Sequence, residues 1–141
     1  MRESRAVVGD CAIALHWVAC ALDSLRDRLT AYGGRFFDTE QHAKPHSDLE
    51  RLLEDMDALG EELAATLGRD HDAPLALANA RTAVSDIVET VGLLKDPNRD
   101  EVVDLQKFVE QTIARVKDQR ERFDACREQF MAATRDVPRE G

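Results

Sequence analysis

Residues 11–25 read CAIALHWVACALDSL, and between Cys11 and Leu22 the one polar side chain is His16. Val8, Cys11, Leu15, Val18, Leu22, Leu25, Leu29 and Tyr32 recur at alternating spacings of three and four. That is the period of a helix packed in a bundle. Ala and Leu favour helix and no Pro interrupts the run. Gly33 and Gly34 follow as a left-handed C-cap. A second apolar series, Ala6, Ile13, Trp17 and Cys20, falls elsewhere on the same helix. A helix that is apolar on all sides should be buried on all sides, yet a place in a four-helix bundle covers only about half of it. The pattern therefore predicts a further neighbour for Ile13, Trp17 and Cys20. A second copy of the chain is the simplest one, so a homodimer is expected.

The rest of the chain reads as helix too. A connection is expected over residues 33–46, where Asp38 and Gln41 could cap one short turn and Pro45 would end it. Phe36 or Phe37 is placed there to plug the end of the bundle. Ser47 with Glu50 makes a capping box that opens a second helix. Its stripe is Leu49, Leu52, Leu53, Met56, Leu59, Leu63 and Leu67, and Gly68 stops it. Asp72 caps a third helix, whose stripe is Leu77, Ala80, Val84, Ile87, Val91 and Leu94. Asn98 and Glu101 form another capping box. From Val102 through Val109, Val116, Phe123 and Phe130 to Ala133 a strict heptad follows, as in a coiled coil. The expected helices are residues 4–32, 47–67, 73–95 and 99–135. The fold class is all-α: an antiparallel, up-down four-helix bundle, one domain over residues 1–141, with a long C-terminal helix. At the standard rise that helix spans about 50 Å, against about 30 Å for the second and third.

Composition narrows the function classes. The chain has 141 residues and a net charge of −9, and residues 37–71 carry ten acids against three bases. No basic stripe is present to neutralise phosphates, so direct binding to nucleic acid is not expected. No unbroken apolar run reaches the roughly 20 residues that span a bilayer, so no membrane partner is expected. The apolar run at 11–22 has the length of a signal-peptide core, but the stripe continues through it to Leu29, so it reads as core. Three cysteines without paired spacing argue against a disulfide scaffold and for the cytoplasm.

No catalytic signature emerges. There is no Gly-x-Ser-x-Gly motif, no phosphate-binding loop and no Glu-x-x-His pair, and the chain does not read as an enzyme. Neither His42 nor His16 is followed by the Lys and Gly that a phosphotransfer histidine of a helical domain usually shows. His16 and Cys20, four residues apart, could chelate a metal, but the reading preferred from sequence is a histidine in the core or an interface. Asp38, His42, His46 and Glu50 would share one helix face if Pro45 did not break it. A two-histidine metal site at His42 and His46, completed by Asp96 or Asp100, belongs to the alternative reading: a ligand- or metal-binding bundle with its site at the 33–46 end. The main expectation needs no cofactor. It is a non-catalytic interaction module of the adaptor, chaperone, immunity or inhibitor type. It self-associates through Ile13, Trp17 and Cys20. It binds another protein, one with a basic surface, through the acidic face of the second helix at Glu54, Asp57 and Glu61.

Overall fold

The computed structural model describes residues 3–95 and 104–137. Four helices account for nearly all of them: α1 (Ser4–Tyr32), α2 (Glu40–Leu67), α3 (Asp72–Gly92) and α4 (Leu105–Ala133), with 3₁₀ turns at Gly33–Arg35 and Leu93–Lys95. α1 packs chiefly on α2, α2 on α3 and α3 on α4, while the seam between α1 and α4 is the slightest. Two contacts give the direction of that seam. A Cβ at Gly34 would lie 2.8 Å from Leu105 at the start of α4. Farther along α4, Arg120 donates to the Ala19 carbonyl at 3.3 Å and pairs with Asp23, both on α1. The two helices are therefore antiparallel, and the chain is an all-α up-down bundle.

The stripes found in the sequence form the core. Cys11, Leu15, Val18, Leu22, Leu25 and Leu29 of α1 are buried, and so is the whole stripe of α3 from Leu77 through Leu94. On α4 the heptad buries Val109, Val116, Phe123 and Phe130 together with the polar Thr112 and Gln119. Thr112 donates its hydroxyl back to the Phe108 carbonyl at 2.9 Å, which satisfies it within its own helix. Phe36 plugs one end with no exposed surface. Gly33, at φ +54°, ends α1 in a conformation that L side chains rarely adopt. Tyr32 departs from its stripe: it is 40% exposed and stacks on His42 with ring centroids 3.7 Å apart.

The largest correction concerns the start of α2. The expected connection over residues 33–46 is cut short, because α2 begins at Glu40 rather than at residue 47 and runs unbroken through Pro45. Thr39, not Asp38 or Ser47, is the N-cap, accepting from the His42 N–H at 3.2 Å. A proline inside a helix leaves the carbonyl four residues back without its N–H partner. Here that carbonyl belongs to Gln41, and the Arg28 guanidinium of α1 donates to it. A side chain from a neighbouring helix thus takes over the bond that Pro45 cannot make. α2 consequently has 28 residues, close to the 29 of α1 and of α4, and α3 with 21 is the short helix. α3 is capped by His71, whose Nδ1 accepts from Ala73 N–H at 3.0 Å, one residue before the expected Asp72. The Asn98–Glu101 box, Val102, and the Asp96 and Asp100 of the alternative metal site lie outside the described residues.

α1 is also long and apolar enough to cross a membrane by length and composition, with a mean hydropathy of 1.5 over eighteen residues. A count of unbroken apolar residues misses this. In the bundle, 44% of that window is buried inside the protein.

Candidate functional site

α1 presents an apolar face that the other described residues do not cover. Ile13 is 56% exposed and Trp17 57% exposed, large values for side chains of this size. Cys20 and His16 are exposed beside them. Ile13 and Trp17 both lie on the flank of α1 towards α2, at the rim of that helix pair rather than between the two helices. Phe36 and Phe37, which could have folded over this face, are occupied elsewhere. Phe37 lies edge-on to Phe36 at 4.8 Å and to His46 at 5.1 Å, with Lys95 above its ring at 5.0 Å.

Between α1 and α2 runs an open groove of about 750 Å³, with Trp17, Cys20 and Ser24 on one wall and Lys44, Asp48 and Asp55 on the other. Lys44 and Arg51 both pair with Asp48, at 2.9 and 2.8 Å. Burial works against the Asp48 carboxylate, yet these two cations hold its pKa below the ordinary value. A shallower groove continues past Ile13 and Trp17 towards Ala58 and Leu59. Trp17 is the ridge between the two.

The acids expected to form one face of α2 divide in two. Asp57 faces α3, where Arg81 donates to it twice, at 2.9 and 3.2 Å. Glu61 lies on that same side, 3.5 Å from Arg69. Glu54 and Asp55 line the groove beside Trp17 instead and have no hydrogen-bond or ion-pair partner among the described residues. All four are exposed. Asp55 is an acid of this helix that was not among the three expected for the partner face, and its signal lay in its angular place on α2 next to α1.

The histidines part company. His46 is buried, 3% exposed, with Nε2 2.9 Å from the Val88 carbonyl and Nδ1 3.2 Å from Glu50 Oε1. The carbonyl can only accept, so Nε2 carries the proton of the neutral ring. Nδ1 then has no proton to offer Glu50, and it is a buried nitrogen without a hydrogen bond. Burial pushes the His46 pKa below its ordinary value, with Lys95 adding to the effect, while the Val88 bond and the Glu50 carboxylate pull the other way. His42 spends its ring on Tyr32 and likewise has a buried, unbonded Nδ1. Both residues are thus built into the α1–α2–α3 corner. Among the described residues no group of three or more His, Cys, Asp or Glu converges on one point.

Of the two places expected for His16, core or interface, the core of the chain is not where it lies. It stands in solvent with Nε2 3.7 Å from Cys20 Sγ and its ring 5.8 Å from Trp17. None of the three cysteines is in a disulfide, and burial raises the Cys126 thiol pKa. No family model matches the chain, and no curated protein and no solved structure matches it.

Proposed function

We propose that this protein is a non-catalytic helical interaction module that pairs with a second copy of itself through α1. The observation that carries the reading is the exposure of Ile13 and Trp17 side by side on a helix whose opposite side is core. Burying one such side chain is worth roughly 1.5–3 kcal/mol, and a two-fold contact buries each of them twice. Monomers seldom leave large apolar patches in water. The same groove brings Glu54 and Asp55 next to this face, so a protein with a basic surface is the second partner, docking at its edge. The module works in the cytoplasm, where its thiols stay reduced.

Sedimentation of the wild type and of Trp17→Glu tests the reading. The expected result is a wild-type dimer and a folded, monomeric variant. A wild type that sediments as a monomer at all accessible concentrations overturns it.

A further inference from the structure

We infer that the α1 face carries half of a divalent transition-metal site, His16 and Cys20, which a second copy of the chain completes. The inference rests on the self-association proposed above.

The first ground is the distance between the two donor atoms. His16 Nε2 and Cys20 Sγ lie 3.7 Å apart. Zinc bonds thiolate sulfur at about 2.3 Å and imidazole nitrogen at about 2.0–2.1 Å, so two such ligands on one tetrahedral ion stand about 3.6 Å apart. The pair already has the bite of a chelate, and little motion is needed to close it on a metal.

The second ground is where the pair sits. At about 100° per residue, His16 and Cys20 are about 40° apart around α1, and each is about 160° from Val18 in the middle of the buried stripe. They mark the pole of the helix that faces directly away from the core. Arg120 approaches α1 on one side of this pole, and Ile13 and Trp17 lie on the other, towards α2. A two-fold axis through the pole brings one imidazole and one thiolate from each chain to the axis. Four ligands of the His₂Cys₂ type then surround one ion. Gly9 stands on the same line two turns earlier, where even a Cβ would meet nothing within 4 Å, so it leaves room for the second helix. Ile13 and Trp17 from each copy flank the ion and keep water from it.

The third ground is incompleteness. One chain supplies two ligands here, and no third His, Cys, Asp or Glu joins them among the described residues. Tetrahedral structural sites take four. A single chain is therefore a weak chelator, and the pair of chains a strong one. Binding converts two thiols to thiolates and releases two protons for each ion bound, so the site strengthens as pH rises.

The test uses the full chain under reducing conditions, with Co²⁺ as a spectroscopic probe and Zn²⁺ as competitor. Sedimentation is run with each metal and with EDTA. The expected result is one cobalt for two chains, with the strong visible bands of tetrahedral cobalt and a thiolate charge-transfer band. Zinc erases these bands and tightens the dimer about tenfold or more relative to EDTA. Cys20→Ser and His16→Ala, both at exposed positions, stay folded and lose the signature. Trp17→Glu keeps both ligands but blocks the second copy, and it loses the signature as well. A dimer without cobalt bands overturns the metal site and leaves self-association standing. A chain that is monomeric with and without metal overturns both. Tetrahedral bands that survive Cys20→Ser, or that persist in Trp17→Glu at one cobalt per chain, also overturn the shared site.

Discussion

At the scale of single residues, Pro45 and His46 show how neighbouring helices change what a side chain does. Pro45 leaves the Gln41 carbonyl without a helical donor, and Arg28 supplies one across the α1–α2 contact. Removing the donor should cost about 1 kcal/mol, the ordinary net worth of such a bond. Pro45→Ala restores the helical N–H, so Arg28→Ala should cost clearly less in that background. A double-mutant cycle in urea measures the difference, and equal costs in both backgrounds would show that Arg28 does not compensate for the proline. For His46 the pH sign follows from its burial. Its native pKa lies below the ordinary 6.5, so the unfolded chain takes up a proton where the native chain does not. That stability is full above about pH 6.5 and declines as pH falls towards the lower native value. Thermal melts should show a falling Tm over this window, and His46→Gln, whose amide can still donate to the Val88 carbonyl, should remove that part of the slope. If wild type and variant keep parallel pH profiles, His46 does not carry the effect.

At the scale of elements, α2 is the instructive helix. Its polar positions look alike in the sequence, a run of acids around one leucine stripe, yet the bundle gives them different surroundings. Asp57 is held by Arg81 of α3, whereas Glu54 and Asp55 face the groove of α1 unpaired. Reversing Asp57 to Lys should cost up to about 1 kcal/mol through the lost surface pair. Reversing Glu54 and Asp55 together should leave the urea midpoint unchanged and weaken a basic partner's association most at low salt, where screening is least. Paired denaturation curves decide the first point. Double reversal that destabilises as much as Asp57→Lys would mean that the two sets of acids do not differ.

At the scale of the whole molecule, the uneven closure of the bundle is the main result. The seam between α1 and α4 is slight, and Ile13 and Trp17 stand exposed on the side towards α2, so among the described residues α1 is buried on one side and open on the other. If a second copy closes that open side, stability depends on mass action. Raising the protein concentration should raise the Tm of the wild type and leave that of Trp17→Glu unmoved. A concentration-independent wild-type Tm would argue that α1 keeps its apolar face in water.

What the sequence determined by itself is the part governed by periodicity. Alternating spacings of three and four specify which side of each helix is apolar, and burial follows because the apolar area leaves water wherever it can. The four helices and the core stripes of α1, α3 and α4 were legible on that ground; that Phe36 or Phe37 plugs the end was legible too, but the structure chose Phe36. The excess of apolar positions on α1, and with it Ile13, Trp17 and Cys20, was legible too. What only the tertiary structure decided are the places where one helix supplies what another lacks. Pro45 could be helical because Arg28 was near, and Thr39 rather than Ser47 became the cap because the helix could then start earlier. The acids of α2 divided because α3 offers Arg81 to Asp57, while the α1 wall beside Glu54 and Asp55 is Trp17, Cys20, Ala21 and Ser24, with no cation. His16 stands in solvent rather than in the core because no other helix among the described residues covers that side of α1. Each outcome depends on contacts between residues distant in the chain, which local spacing does not encode.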